Sequence, residues 1–147
     1  MSVETTRKTM TDYFAAMVER RDFSQFFTAD VVWTTMETGE QIRGRSAVRD
    51  HITNGQTRIF DAQPHVENLV VTDGVVALES VFVGTHIGEF AGVQPTGVLV
   101  RVPYTMFYRV TDEGIAELHS YLSPTLVLDQ LRRGTPAATD ALSSTAM

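Results

Sequence analysis

Residues 73–122 read DGVVALESVFVGTHIGEFAGVQPTGVLVRVPYTMFYRVTDEGIAELHSYL. Runs 75–87, 98–110 and 115–122 are rich in β-branched and aromatic residues, a composition that packs well on a pleated surface. The first two are long enough to curve. Asp73-Gly74 sits between two strand-like runs and is the strongest short hairpin signal in the chain. Glu113-Gly114 gives a second turn, and residues 88–97, rich in glycine and proline, form a longer hairpin loop. With a further strand over 63–72, these residues predict a run of antiparallel strands without helical crossovers.

The period changes toward the N-terminus. Met10, Tyr13, Phe14, Met17 and Val18 recur at three and four residues, which predicts a helix over 3–21 capped by Ser2. A short helix over 22–28 follows, then a strand over 31–36 that turns at Thr38-Gly39-Glu40 into residues 41–44. Residues 45–54 are again helical, with Ala47, Val48 and Ile52 inward and Asn54-Gly55 as a left-handed end. Ser123 and Pro124 open a last helix over 124–133. Helices first and strands afterwards give an α+β fold: one strongly curved mixed or antiparallel sheet whose concave face is closed by the helices. Such a cone has an interior open at one end, where a ligand would sit. Residues 1–133 form one domain, and the small and polar residues 134–147 are expected to be a disordered tail.

Composition narrows the function. The chain has 147 residues, 12 Lys plus Arg against 18 Asp plus Glu, and a net charge of −6. It therefore offers no basic footprint for nucleic acid. Without cysteine it has no disulfides, thiolate metal sites or thiol nucleophile. No apolar run approaches a membrane span and the N-terminus has no leader pattern, so a cytoplasmic protein is expected. His51, His65, His86 and His119 include no pair at metal-binding helical spacing, and no glycine-rich nucleotide loop is present; neither metal nor cofactor is expected.

Chemistry is left to the polar residues of the strands. Alternation puts Ile115, Glu117, His119, Tyr121 and Ser123 on one face of the last strand and Ala116, Leu118, Ser120 and Leu122 on the other. If the polar face looks into the cavity, His119 and Tyr121 supply an acid/base pair with a carboxylate behind it, Glu117 or Glu89. If it is solvated, the same pattern means nothing chemical. Arg109 is a candidate for orienting an anion or, equally, for a surface ion pair with Asp112 or Glu113, and His86 for a place at the cavity rim or a hydrogen bond to loop backbone. Tyr13, Met17, Trp33, Phe60, Tyr104 and Phe107 are assigned to the cavity wall, which suits a flat apolar ligand.

The run from Val83 to Gly97 containing Gly-Thr-His and Pro-Thr-Gly, the stretches Phe107-Tyr108-Arg109-Val110 and Gly114-Ile115-Ala116-Glu117, and the helix opening Gly44-Arg45-Ser46-Ala47-Val48 resemble the SnoaL-like polyketide cyclases. The resemblance covers residues 5–131. It implies the cone-shaped α+β fold named for nuclear transport factor two, a homodimer, and a cofactor-free site that closes a ring on a polycyclic or aromatic polyketide by an aldol reaction. Relatives on the fold hydroxylate or open epoxides, and a non-catalytic binding protein is the remaining alternative. In such cyclases an aspartate at the end of the last strand serves as acid and base; here that position is Ser123. Serine cannot do that work unaided, so His119 and Tyr121 are its expected substitutes. A titratable group buried in the cavity with few partners would separate an enzyme from a carrier.

Overall fold

The computed structural model describes residues 1–134; the expected disordered tail falls almost wholly outside them. Helix α1 spans Val3–Val18 and is entered through a reciprocal cap, in which the Thr5 amide donates to Ser2 Oγ at 3.1 Å and the Ser2 amide to Thr5 Oγ1 at 2.9 Å. Its buried stripe is Thr6, Met10, Tyr13 and Ala16. The helix stops short of residue 21 because Arg20 turns left-handed, at φ 56°. Residues 22–28 form only a 3-10 turn, Ser24–Phe26, before strand β1 begins at Phe27, earlier than residue 31, and runs to Thr35.

Strand β2 (Glu40–Arg43) pairs back on β1, and α2 spans Arg45–Thr53. The expected left-handed end at Asn54-Gly55 does not form. Asn54 stays helical (φ −59°, ψ −44°) and the chain runs on as a π turn, Asn54–Arg58, closed by the Ile59 amide donating to the Asn54 carbonyl at 2.8 Å. Thr57 and Arg58 side chains bond back to Thr53 and Asn54, so the turn is satisfied without a glycine end. Strands β3 (Phe60–Val71), β4 (Val75–His86), β5 (Leu99–Thr111) and β6 (Gly114–Ser120) follow, then α3 (Pro124–Arg133).

The six strands form one sheet in the order β2-β1-β6-β5-β4-β3. All neighbours are antiparallel except β1 and β6, which run parallel, so the sheet is mixed. It is curved but not closed, with β2 and β3 as free edges. Gly114 matters at the β5–β6 turn: at φ 131°, a Cβ there would lie 2.5 Å from the Phe26 carbonyl oxygen. The same strand pair carries the irregularity with the greatest consequence. Arg109 pairs with Glu117 but Val110 pairs with Ile115, which leaves Ala116 as an extra residue.

Side chains of α1 pack on Val76, Leu78, Met106 and Tyr108, whereas Val127 and Leu131 of α3 pack on Phe60, Val100 and Val102. Both groups belong to one face of the sheet. The helices therefore cover the inner face as two separate cores, and the space between them is the cavity. Among the described residues no helix is long and apolar enough to cross a membrane.

Candidate active site

In α2 the buried positions are Val48 and Ile52, and His51 stands three residues after the first and beside the second, on the inward edge of the same stripe. Its ring meets Trp33 of β1 edge-on, with centroids 4.8 Å apart and planes at 64°. Trp33 is itself held by Nε1–H donating to Thr35 Oγ1 at 3.0 Å. His51 makes no hydrogen bond to any described residue. Burial lowers its pKa from the ordinary histidine value, with the Glu40 carboxylate at the cavity mouth pulling weakly the other way. The imidazole is accordingly neutral near pH 7, and it lines open space.

That space is two adjoining lobes, which share Trp33, His51, Phe82, Ser120 and Leu122 as walls. The inner lobe holds about 140 Å³ and is finished by Tyr13, Met17, Tyr104 and Tyr108. The outer lobe holds about 440 Å³ and reaches Glu40, Asn54, Phe60 and Phe90. The π turn contributes Asn54, Gly55 and Gln56 to these walls, a placement in keeping with such turns at working sites. Loop 87–98 is pinned beside the outer lobe: the Ile87 and Gly88 amides both donate to the Ile59 carbonyl, and a Cβ on Gly88 would strike the Arg58 carbonyl.

Five of the residues assigned to the wall, Tyr13, Met17, Trp33, Phe60 and Tyr104, line the cavity. The polar set does not. Phe107, Arg109, Glu117, His119 and Tyr121 lie together on the opposite face of the sheet. Arg109 Nε is 3.2 Å from Glu117 Oε2, His119 Nε2 is 3.5 Å from Glu117 Oε1, and His119 stacks with Phe107 at 6.3 Å. Tyr121 is 51% exposed. Glu117 and His119 alternate against Leu118 and Ser120 as counted, and it is Leu118 and Ser120 that turn inward; the bulge at Ala116 brings Ile115 inward with them. Arg109 is paired, but with Glu117 across the ladder rather than with Asp112 or Glu113.

Ser123 is a helix cap. Its Oγ accepts from the Leu126 amide at 3.0 Å and donates to Glu37 at 3.0 Å, and the same carboxylate accepts from the Thr125 amide. Hydrogen bonds from Thr125 and Ser123 hold the Glu37 carboxyl below the usual range. His86 is 1% exposed, and its Nδ1 accepts from the Thr96 amide at 3.1 Å, so it anchors loop 87–98. Glu89 is exposed on that loop and accepts from Gln94 Nε2 at 3.1 Å. Sequence reasoning missed His51, Glu40 and Ser120. The helical stripe through Val48 and Ile52 was the available signal for His51; nothing local marks the other two. Among the described residues no three His, Asp or Glu side chains gather as metal ligands.

Over residues 6–131 the chain matches the model of the SnoaL-like polyketide cyclases. It belongs to that family. Solved structures with the same fold are far apart in sequence from this SnoaL-like chain. AclR of Streptomyces galilaeus, provisionally assigned as a hydroxylase, is 22% identical over 89% of this chain and 87% of its own, with TM-score 0.72. A Xanthomonas campestris protein provisionally assigned as a polyketide cyclase is 19% identical, covering 87% and 97%, with TM-score 0.72. A Catenulispora acidiphila protein of ketosteroid isomerase-like fold, solved with trimethylamine, is 21% identical, covering 90% and 97%, with TM-score 0.69. No curated protein matches the chain in sequence. At these identities the likeness carries the fold; the chemistry has to come from this chain's own cavity.

Proposed function

We propose that this SnoaL-like protein is a cofactor-free acid/base enzyme that closes a ring on a polycyclic or aromatic carbonyl compound of polyketide or related natural-product biosynthesis, with His51 as the general base. The observation that carries the reading is a histidine, its pKa lowered by burial, without a hydrogen-bond partner among the described residues in a cavity lined mainly by aromatic and aliphatic side chains. In this reaction His51 takes a proton from the carbon beside a carbonyl, and the C–H electron pair becomes the enolate. The enolate carbon attacks a second carbonyl of the same substrate, one C–C bond forms, and the new alkoxide takes the proton back from the imidazolium. No atom is gained or lost. Trp33 and Phe82 flank the reacting ring, and the outer lobe is large enough for the rest of a drug-sized molecule.

The same reading includes a cytoplasmic homodimer joined through the outer sheet face, which no described helix covers. Pro103, Phe107 and Tyr121 on that face support it. The deciding experiment is α-proton exchange of 2-tetralone in deuterated buffer, followed by NMR. Exchange accelerated by the protein and lost in His51→Ala supports the assignment; equal rates with and without His51 overturn it. Incorporation of labelled oxygen into product on the natural substrate would instead make the protein a hydroxylase or an epoxide-opening enzyme.

A further inference from the structure

The outer lobe has a feature that proton transfer by His51 does not require. Trp33, Phe60, Phe82 and Phe90 make much of its wall aromatic. Among the described residues lining the two lobes, Glu40 of the outer one is the single carboxylate, and no lysine or arginine lines either. The β1–β2 ladder puts it there. Trp33 pairs with Ile42 and Thr35 with Glu40, so Glu40 shares a sheet face with Trp33 and Thr35, both of which line the lobe. Gln41 and Arg43 take the other face, where Arg43 Nη2 donates to Gln41 Oε1 at 2.8 Å, so the arginine of β2 is engaged away from the cavity. The Glu40 amide donates to Thr38 Oγ1 at 3.2 Å, but its carboxylate makes no ion pair or hydrogen bond with a described residue. Glu37, in the same turn, differs: its carboxylate accepts from the Ser123 hydroxyl and the Thr125 amide.

We propose that the outer lobe takes a cationic end of its ligand, a protonated or quaternary amine, recognised by the Glu40 carboxylate and the aromatic wall of Trp33, Phe60, Phe82 and Phe90. An alkylammonium suits both parts of this lining. Its carbon surface prefers the aromatic wall to water, and its diffuse charge is attracted to the faces of aromatic rings. Glu40 supplies the countercharge, and because it is exposed it keeps part of its hydration, so pairing with it does not carry the desolvation penalty of a buried ion pair. The field of this carboxylate reaches into the cavity, where it acts on His51. An anionic ligand would meet Glu40 with no lysine or arginine in the lining to offset the repulsion, in a protein whose net charge is already −6. The proposal rests on the acid/base reading for the fate of the ligand, whose class it narrows to a carbonyl compound carrying a basic nitrogen. The cation seat itself does not depend on His51.

The test titrates the full chain by calorimetry with probes of one shape and different charge: (2-naphthylmethyl)trimethylammonium, its uncharged carbon isostere 2-neopentylnaphthalene, and the anion 2-naphthylmethanesulfonate. The permanent charge of the first keeps proton uptake by the probe out of the readout. A merely apolar cavity would favour the uncharged isostere, which is the more hydrophobic of the pair. Wild type is expected to reverse that order, binding the cation about threefold or more tightly than the isostere and the sulfonate most weakly, with the preference shrinking in high salt. Glu40→Gln, a change at an exposed edge-strand position, should weaken the cation about fivefold and leave the isostere within about twofold. Equal or tighter binding of the isostere by wild type overturns the cation seat without any variant having to fold. Unchanged cation affinity in Glu40→Gln, or equal loss of both probes, overturns it as well. The two readings fail separately: tetralone exchange that needs His51, in a protein with no cation preference, leaves the acid/base reading standing and removes the seat, and a cation preference without His51-dependent exchange does the reverse.

Discussion

Strands β5 and β6 carry titratable side chains on both faces, and the two faces differ in what they leave unsatisfied. Outside, Arg109, Glu117 and His119 form a half-exposed chain of mutual contacts stacked on Phe107. Inside, Tyr104, Tyr108 and Ser120 share a cavity with His51, Tyr13 and Trp33, and the histidine and two of the phenols have no protein partner. The outer groups satisfy one another and need no ligand. His51, Tyr13 and Tyr108 are largely buried without a protein partner to replace water, which is the condition under which a side chain binds or reacts. Residue type alone does not distinguish the faces; partnership and burial do.

The sharpest way to break this contrast is catalytic. His51→Ala should lower kcat/KM by about 10²- to 10⁴-fold, the usual contribution of a general base, whereas His119→Ala and Tyr121→Phe should change it less than about threefold. A reversed order would put the chemistry on the outer face. The wild-type pH profile refines the comparison. Only neutral His51 can accept a proton, so kcat/KM should fall as the pH drops through its pKa, and burial places that fall below the ordinary histidine value. His51→Ala should remove this acid limb.

Stability gives the next contrast, within a single strand. Leu118 is fully buried, and Leu118→Ala should cost about 2–5 kcal/mol in urea denaturation. A smaller step is Ser123→Ala, which removes the cap of α3 and should cost about 1 kcal/mol without altering turnover. A large loss of activity in that variant at unchanged stability would restore Ser123 to the chemistry. Smallest of all, Glu117→Gln cuts the outer ion pair and should cost less than about 1 kcal/mol, with the difference shrinking further in high salt.

The elements themselves were legible because their signals are local. Alternation over β4 and β5, the Asp73-Gly74 turn and the capped starts of α1 and α3 appear where the residues predict them. The errors fall where a local signal was overruled by its neighbours. Asn54-Gly55 looked like a helix end, but the Thr57 hydroxyl satisfied the Thr53 carbonyl and the Ile59 amide the Asn54 carbonyl, and the turn continued. Counting by twos along β6 grouped Ile115 with Glu117 and His119, and one extra residue at Ala116 took Ile115 out of that group. Ser123 was read by its position relative to a family aspartate, yet its hydroxyl serves the first turn of a helix.

Sequence by itself determined the α+β class, the aromatic supply for a cavity wall, and the exclusion of thiol chemistry, because composition and periodicity act residue by residue. Tertiary structure alone decided which polar groups face the cavity. A strand presents its side chains to two sides, and packing of Leu118 and Ser120 against the inner face decides which side is which. A helix meets the sheet at an angle that brings His51 to Trp33, eighteen residues away in the chain. Which of these groups are left without partners is a property of the assembled packing, and the proposed chemistry depends on it.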